Sequence, residues 1–455
     1  MSRDTKPQIY YLLRRGWHDQ LLKLCDGVIQ KKGKDPLAIF WKAFALGSMG
    51  NFAECKRQLD SFSQRRDMQL PVTMALLHFH RRAPQLDREA IEALSSELGV
   101  AEDVTKEAGM VLAARFALYT DDAPTALRLS QRLLSGCRGS PSTAFELEAQ
   151  SCEQWVAVNE AIALLASGNG GGGGGSSGLP PTTVRQLQAI DACYRGRAEQ
   201  SEADGLMCLA RCKVLLGSSG EALAVLNQVI ALNSSFTAAL QEKASLLAAS
   251  GEWEQALDAA QRALDVEPDC IDALRVIAIH AFTQVRCTSL TQIHLHHSHT
   301  HTLSIASLSL FLPSLSLFPF LPQLQISHLL PLTTSQINSS LLHAHRNQST
   351  SHATPLGPRP QESQHADALS KLEDVDAALR TKEPSSECAL ETATLFSQLC
   401  GRQSKALAVC AKMVERALKT SPGAAMGASL LCCLGQIHVA QGIMQYENAM
   451  KVGAA

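Results

Sequence analysis

Between Ala203 and Asp269 the chain writes one pattern twice, 34 residues apart. Leu206, Ala210, Gly217 and Ala222 in the first copy become Leu240, Ala244, Gly251 and Ala256 in the second, and Val229 is answered by Ala263. A small residue recurs where two helices must cross closely, and a glycine recurs where the chain turns between them. The same interval separates Gly16 from Gly50, and Ala43 precedes Gly50 by seven residues as Ala210 precedes Gly217. A unit this short cannot bury its own apolar face, so successive units must stack on one another. Glu267-Pro268-Asp269 ends the second copy, where proline stops one helix before the next begins.

The layout resembles the tetratricopeptide repeat: helix, turn, antiparallel helix, repeated. The expected fold is therefore all-α, a superhelical solenoid of antiparallel helix pairs interrupted by low-complexity inserts. The resemblance has gaps. Lys213 and Lys243 stand where the repeat wants large apolar residues, and Leu226 in one copy is only Ala260 in the other. Apolar spacing predicts earlier pairs over 8–15 and 18–30, 37–49 and 52–62, 71–82 and 87–98, then 104–119 and 123–134. Asp87 is a predicted N-cap, and Ala114 and Ala126 take small-residue places. A further helix over 142–167 runs into Gly168-Asn169 and six glycines, Gly170 to Gly175. No strand precedes that run, so it reads as a tether rather than a phosphate loop. Helical spacing resumes at Thr183 with Val184, Leu187 and Ile190 on one face.

Charge narrows the function classes. Forty-one Lys and Arg against 43 Asp and Glu leave a net charge of −2, with no global field to draw nucleic acid or a membrane. Residues 1–100 alone hold 16 basic against 11 acidic side chains, an excess that fits solvated helix faces or an acidic partner. The 14 cysteines form no CxxC pair and the start carries no secretory signal, so reduced, mostly buried thiols in a cytosolic protein are expected. No nucleophile–base arrangement, Walker loop, HExxH or paired-carboxylate motif is present; His78 and His80 lie two apart and face different ways. The expectation is a chain that is not an enzyme, takes no cofactor, metal or small-molecule substrate, and works by recognition along a concave groove. Met207, Arg211, Gln241 and Ser245 at inner positions are not the Lys/Asn clamp of chaperone adaptors.

Composition breaks inside one repeat. The first helix of the next pair is expected over 271–284, but from Arg286 to Gln361 there is no Asp, Glu or Lys, and nine of the 15 histidines fall there. Leu303 to Leu332 is uncharged, yet Pro313, Pro319, Pro322 and Pro331 argue against a membrane helix. The run from His294 to His301 admits a metal tract. The preferred origin is a low-complexity insertion or translated intron foreign to the working fold. At His365 helical spacing returns with Ala366, Leu369, Leu372, Val375 and Leu379, supplying the second helix that the interrupted repeat lacks. The domain reading is thus 1–168 helix pairs, 169–181 Gly/Ser linker, 182–285 repeats, 286–363 insert and 364–455 further repeats. That last part has helices over 388–399, 403–418 and 424–440, with Ala417 and Pro422 in repeat places, and ends as if in mid-repeat.

The order of segments resembles the tetratricopeptide repeat protein 21 family, the large repeat subunit of intraflagellar transport complex A, in its N-terminal part. The resemblance rests on Asp87-Arg88-Glu89-Ala90-Ile91, on Trp253 with Ala256 to Leu264, and on Val266 to Arg275. Ala368 to Glu373, Cys400-Gly401-Arg402, Glu415-Arg416-Ala417 and Pro422 follow in the family's order. It implies a non-enzymatic scaffold for retrograde transport and membrane-cargo delivery in cilia or flagella, partnered by the other complex A subunits. Its places would be the cytoplasm, the cilium and the ciliary base. The alternative is a cytosolic tetratricopeptide adaptor of a chaperone or ubiquitin-ligase assembly.

Overall fold

A computed structural model describes residues 5–33, 35–62, 65–83, 85–136, 144–166, 179–194, 202–297, 361–382, 386–401, 403–420 and 424–442. Among them every long element is a helix. These are α1 (Thr5–Arg14), α2 (His18–Lys32), α3 (Pro36–Ser48), α4 (Phe52–Asp60), α5 (Gln69–Arg82), α6 (Arg88–Val104), α7 (Glu107–Tyr119) and α8 (Ala123–Gly136). Then come α9 (Ala144–Ala166), α10 (Pro181–Tyr194), α11 (Ala203–Leu215), α12 (Ser219–Leu232), α13 (Thr237–Ala249) and α14 (Trp253–Val266). The last are α15 (Ile271–His297), α16 (Gln361–Lys382), α17 (Ser386–Leu399), α18 (Ser404–Thr420) and α19 (Ala424–Ala440).

Local chemistry sets the starts and turns. Asp35 accepts hydrogen bonds from the Leu37 and Ala38 amides with Pro36 in the first turn, and Asp87 caps α6 through the Ala90 amide at 3.0 Å. Gly16, Gly50, Gly217 and Gly251 all have φ between 65° and 86°, the left-handed region that a side chain resists. Between α7 and α8 that role falls to Asp121, at φ 60° and seven residues after Ala114. Aspartate tolerates this region, so the turn survives without its glycine. Helix α6 runs on to Val104, past the expected end at 98, and Thr105 is the residue that leaves the helix. The Thr105 hydroxyl donates to the Ala101 carbonyl and accepts from the Leu70 amide, fixing that exit.

The chain divides into two compact units, Met1–Ala239 and Leu240–Ala455. The first unit takes in helices on both sides of the glycine run, and α1 packs against α11 within it. In that unit the first helices of the pairs form an inner layer. Helix α7 is buried without a break from Gly109 to Leu118, and α3 buries eight of its 13 residues. The second helices α4, α6 and α8 lie outside, burying two, one and four residues.

In the second unit the helix that the composition break interrupts does find its partner. Ile271, Ala278, Ile279, Phe282 and Val285 of α15 share one core with Ala368, Leu372, Val375, Ala378 and Leu379 of α16. Lys382, at the far end of α16, pairs with Glu267 and with Asp269 at 3.2 Å, just before α15 starts, so the two run antiparallel. The α15 backbone continues to His297, beyond the expected end at 284 and into the span assigned to the insert. No glycine or proline stands between Val285 and His297 to stop it. Residues 298–360, including the candidate membrane segment from Leu303 to Leu332 and the end of the histidine run from Ser298 to His301, lie outside the described residues, as do 167–178 and Pro422. Replacing 298–360 with a short Gly/Ser linker is expected to leave the helical signal and the urea midpoint unchanged, because helix–helix connections of about 2–8 residues suffice for antiparallel neighbours.

Candidate functional site

The repeat residues lie where the helices meet. Leu206, Ala210, Ala222, Leu240, Ala244, Ala256, Ala263 and Ala43 are no more than 1% exposed, and Ala417 is buried as well. Pro268 sits exposed in the turn before α15. Lys213 holds its apolar place by pairing with Asp191 of α10 at 2.6 Å and with Glu221 of α12. Met207, Gln241 and Ser245 are buried, and so present no carboxylate clamp. Glu252, Glu254 and Asp258 are exposed on α14.

Among the described residues of the N-terminal unit, long polar side chains pack into the inner face between the helices. Asp204, at the start of α11 and 2% exposed, is the hub. It accepts from Arg14 Nη1 of α1 at 2.6 Å, from Ser151 Oγ at 3.1 Å and from Trp155 Nε1 at 3.2 Å on α9. Arg115 of α7, 1% exposed, brings Nη1 to 3.0 Å from the same carboxylate without hydrogen-bond alignment. Its Nη2 donates to the Glu148 carbonyl, and its guanidinium covers the Tyr10 ring at 4.5 Å. Glu148 takes Lys6 and the Tyr10 hydroxyl, and Tyr10 packs on Trp41 and Tyr119. Four helices from opposite ends of the unit are thereby tied through one carboxylate.

Beside this hub is a cavity of ≈30 Å³, lined by Arg115, Glu148, Ser151, Gln154, Tyr194, Glu202 and Asp204. That is room for a water molecule or two, not for a substrate. Close packing closes it further: the Tyr194 hydroxyl donates to Gln154, and a Cβ on Gly205 would come within 2.8 Å of that hydroxyl. Burial alone would push the Asp204 carboxyl up, but the Arg14 and Arg115 charges outweigh it and hold it below the usual carboxylate range. A carboxylate locked in its charged form between two guanidiniums is suited to holding helices and unsuited to moving protons. Among the described residues no trio of His, Cys, Asp or Glu is set to hold a metal, and no helix is long and apolar enough to cross a membrane.

Two half-buried histidines give the unit a pH dependence in a separate window. His18 lies against Phe44, His78 lies against Phe79 and Phe116, and burial drives each down to about 4. Each binds a proton more readily unfolded than folded, so stability is lost as pH falls from about 6.5 towards 4. Asp204, depressed instead, gives up its contribution only below the ordinary aspartate range. The urea midpoint is therefore expected to drop between pH 7 and pH 5, and a His18→Phe, His78→Phe variant to show a smaller drop. An unchanged difference would remove these two groups from the account.

Residues 9–257 match the family model described as Tetratricopeptide repeat protein 21 N-terminal ARM repeat. The chain belongs to the tetratricopeptide repeat protein 21 family. ARM and tetratricopeptide repeats alike stack helices into solenoids, in keeping with the helix pairs seen here. Among relatives, human Tetratricopeptide repeat protein 21A is 26% identical over 272 residues, 60% of this chain and 19% of that protein. Human Tetratricopeptide repeat protein 21B is 24% identical over 280 residues, 61% of this chain and again 19% of the relative. The chain thus spans about a fifth of the length of the family members it matches. A solved chain of yeast Tom70 aligns over 97% of this chain and 86% of its own at 12% identity, with a TM-score of 0.26. Family members are helical-repeat proteins, and this chain has the build of a tetratricopeptide-like α-solenoid scaffold.

Proposed function

We propose that the chain is the N-terminal part of a non-enzymatic scaffold of intraflagellar transport complex A, acting in retrograde ciliary transport and in delivery of membrane cargo to the cilium. Its partners in this reading are the other complex A subunits, and its places of work are the cytoplasm, the ciliary base and the cilium or flagellum. The observation that carries it is the family match over residues 9–257. The filled interior adds a geometric condition. With Tyr10, Arg115 and Asp204 packed inside, the first unit recognises partners with its outer helices and turns rather than with a groove. The test is capture from extract of ciliated cells on the tagged full chain, read by mass spectrometry. Recovery of complex A subunits is expected; recovery of chaperone or ubiquitin-ligase subunits alone would replace this reading with that of a general adaptor.

A further inference from the structure

Helix α6 departs from its neighbours in what it leaves uncovered. Only Ala101 of its 17 residues is buried, while Ile91, Leu94 and Leu98 face inward half-covered. On its other side Ala93, Val100 and Val104 follow at intervals of seven and four, with Val100 63% and Val104 44% exposed. Such spacing lays residues along a single stripe, as in the seam of two packed helices. Three of the most exposed large apolar side chains in the described residues, Leu86, Val100 and Val104, gather on or beside this one helix.

The stripe also carries charge. Glu89 and Glu97 lie one turn to either side of Ala93 and in line with it, Glu97 between Ala93 and Val100, and neither they nor Glu92 make an ion pair among the described residues. Glu102 and Asp103, by contrast, are neutralised by Arg128 and Arg132 of α8. Both ends of α6 are fixed, by the Asp87 cap and by these arginines, so the seam is presented without an ordering cost. An apolar stripe wants an apolar partner stripe. The bare carboxylates want Lys or Arg beside it and repel nucleic acid and anionic lipid alike.

We infer that the outer face of α6 is a docking seam for a basic amphipathic helix of a partner protein. The inference rests on the scaffold reading above and names the chemistry of one contact. A seam of about three turns is small by the standard of stable interfaces, so it works as one contact among several in an assembly.

The probe is a labelled 20-residue amphipathic peptide of Leu and Lys, titrated into the full chain by fluorescence anisotropy, with its Leu/Glu counterpart as control. Val100→Lys with Val104→Lys is expected to weaken binding of the Lys peptide at least about tenfold, a loss of about 1.4 kcal/mol. Glu89→Lys with Glu97→Lys, which leaves the apolar stripe untouched, is expected to weaken it similarly and to admit the Glu peptide. Unchanged affinity in both variants, or equal binding of the two peptides to the parent chain, overturns the inference. Extract capture with the Val100→Lys, Val104→Lys chain separates the two proposals. Undiminished recovery of complex A subunits on it overturns the seam and leaves the scaffold reading standing. Seam-dependent peptide binding with no complex A subunit recovered by the parent chain overturns the scaffold reading and leaves the seam.

Discussion

Asp204→Ala is expected to destabilise the N-terminal unit by about 3–5 kcal/mol, the cost of leaving buried charges without their counter-ion. Arg14 and Arg115 both face this carboxylate, and Arg115 is 1% exposed, so bulk solvent cannot take its place. The substitution also orphans the Ser151 hydroxyl and the Trp155 indole N–H. Asp204→Asn keeps one carbonyl oxygen, enough for these two donors because both bond to Oδ2, and is expected to lose less. Urea denaturation followed by circular dichroism measures the difference, and amide hydrogen exchange locates it in α1, α7, α9 and α11. A loss under about 1 kcal/mol for the alanine variant would show that the hub contributes no more than an exposed ion pair.

The second large effect belongs to Phe282→Ala, expected to cost about 3–5 kcal/mol. Phe282 is fully buried in α15, its ring 5.8 Å from that of Phe396 in α17, in the core that α15 shares with α16. If α15 and α16 form one repeat despite the residues between them, the penalty must be the same with 298–360 present or replaced by a short linker. A penalty that vanishes in the shortened chain would mean that its α15 no longer packs on α16.

Much of this fold could be read from residues alone, for identifiable reasons. Gly16, Gly50, Gly217 and Gly251 announce turns because few other residues accept their φ, and Ala210 and Ala244 announce crossings because nothing larger fits. Asp121 serves the same turn unannounced, since aspartate is common on any surface. The pairing of 271–284 with 366–379 was legible because apolar spacing survives whatever is inserted between its halves. The hub was not. Arg115 stands inside Gly-Met-Val-Leu-Ala-Ala-Arg-Phe-Ala-Leu-Tyr, where one charge among apolar residues was a signal that the repeat pattern hides. Its partner Asp204 reads as an ordinary acidic residue in a helix's first turn. Which distant acid meets which base depends on how far the solenoid curls, and no local pattern encodes that. The exposure of Val100 was equally hidden, because Ile91, Leu94 and Leu98 supply α6 with a complete inner face of their own.

The bond from Arg14 to Asp204 spans 190 positions of the chain. On a ribosome adding about 5–20 residues per second, α1 leaves the exit tunnel roughly 10–40 s before its counter-ion has been made. Throughout that interval Arg14 lacks its counter-ion, and the nascent chain displays a face of α1 that the finished unit conceals. Chaperones acting during translation would therefore meet the uncovered face of α1 before the unit closes over it.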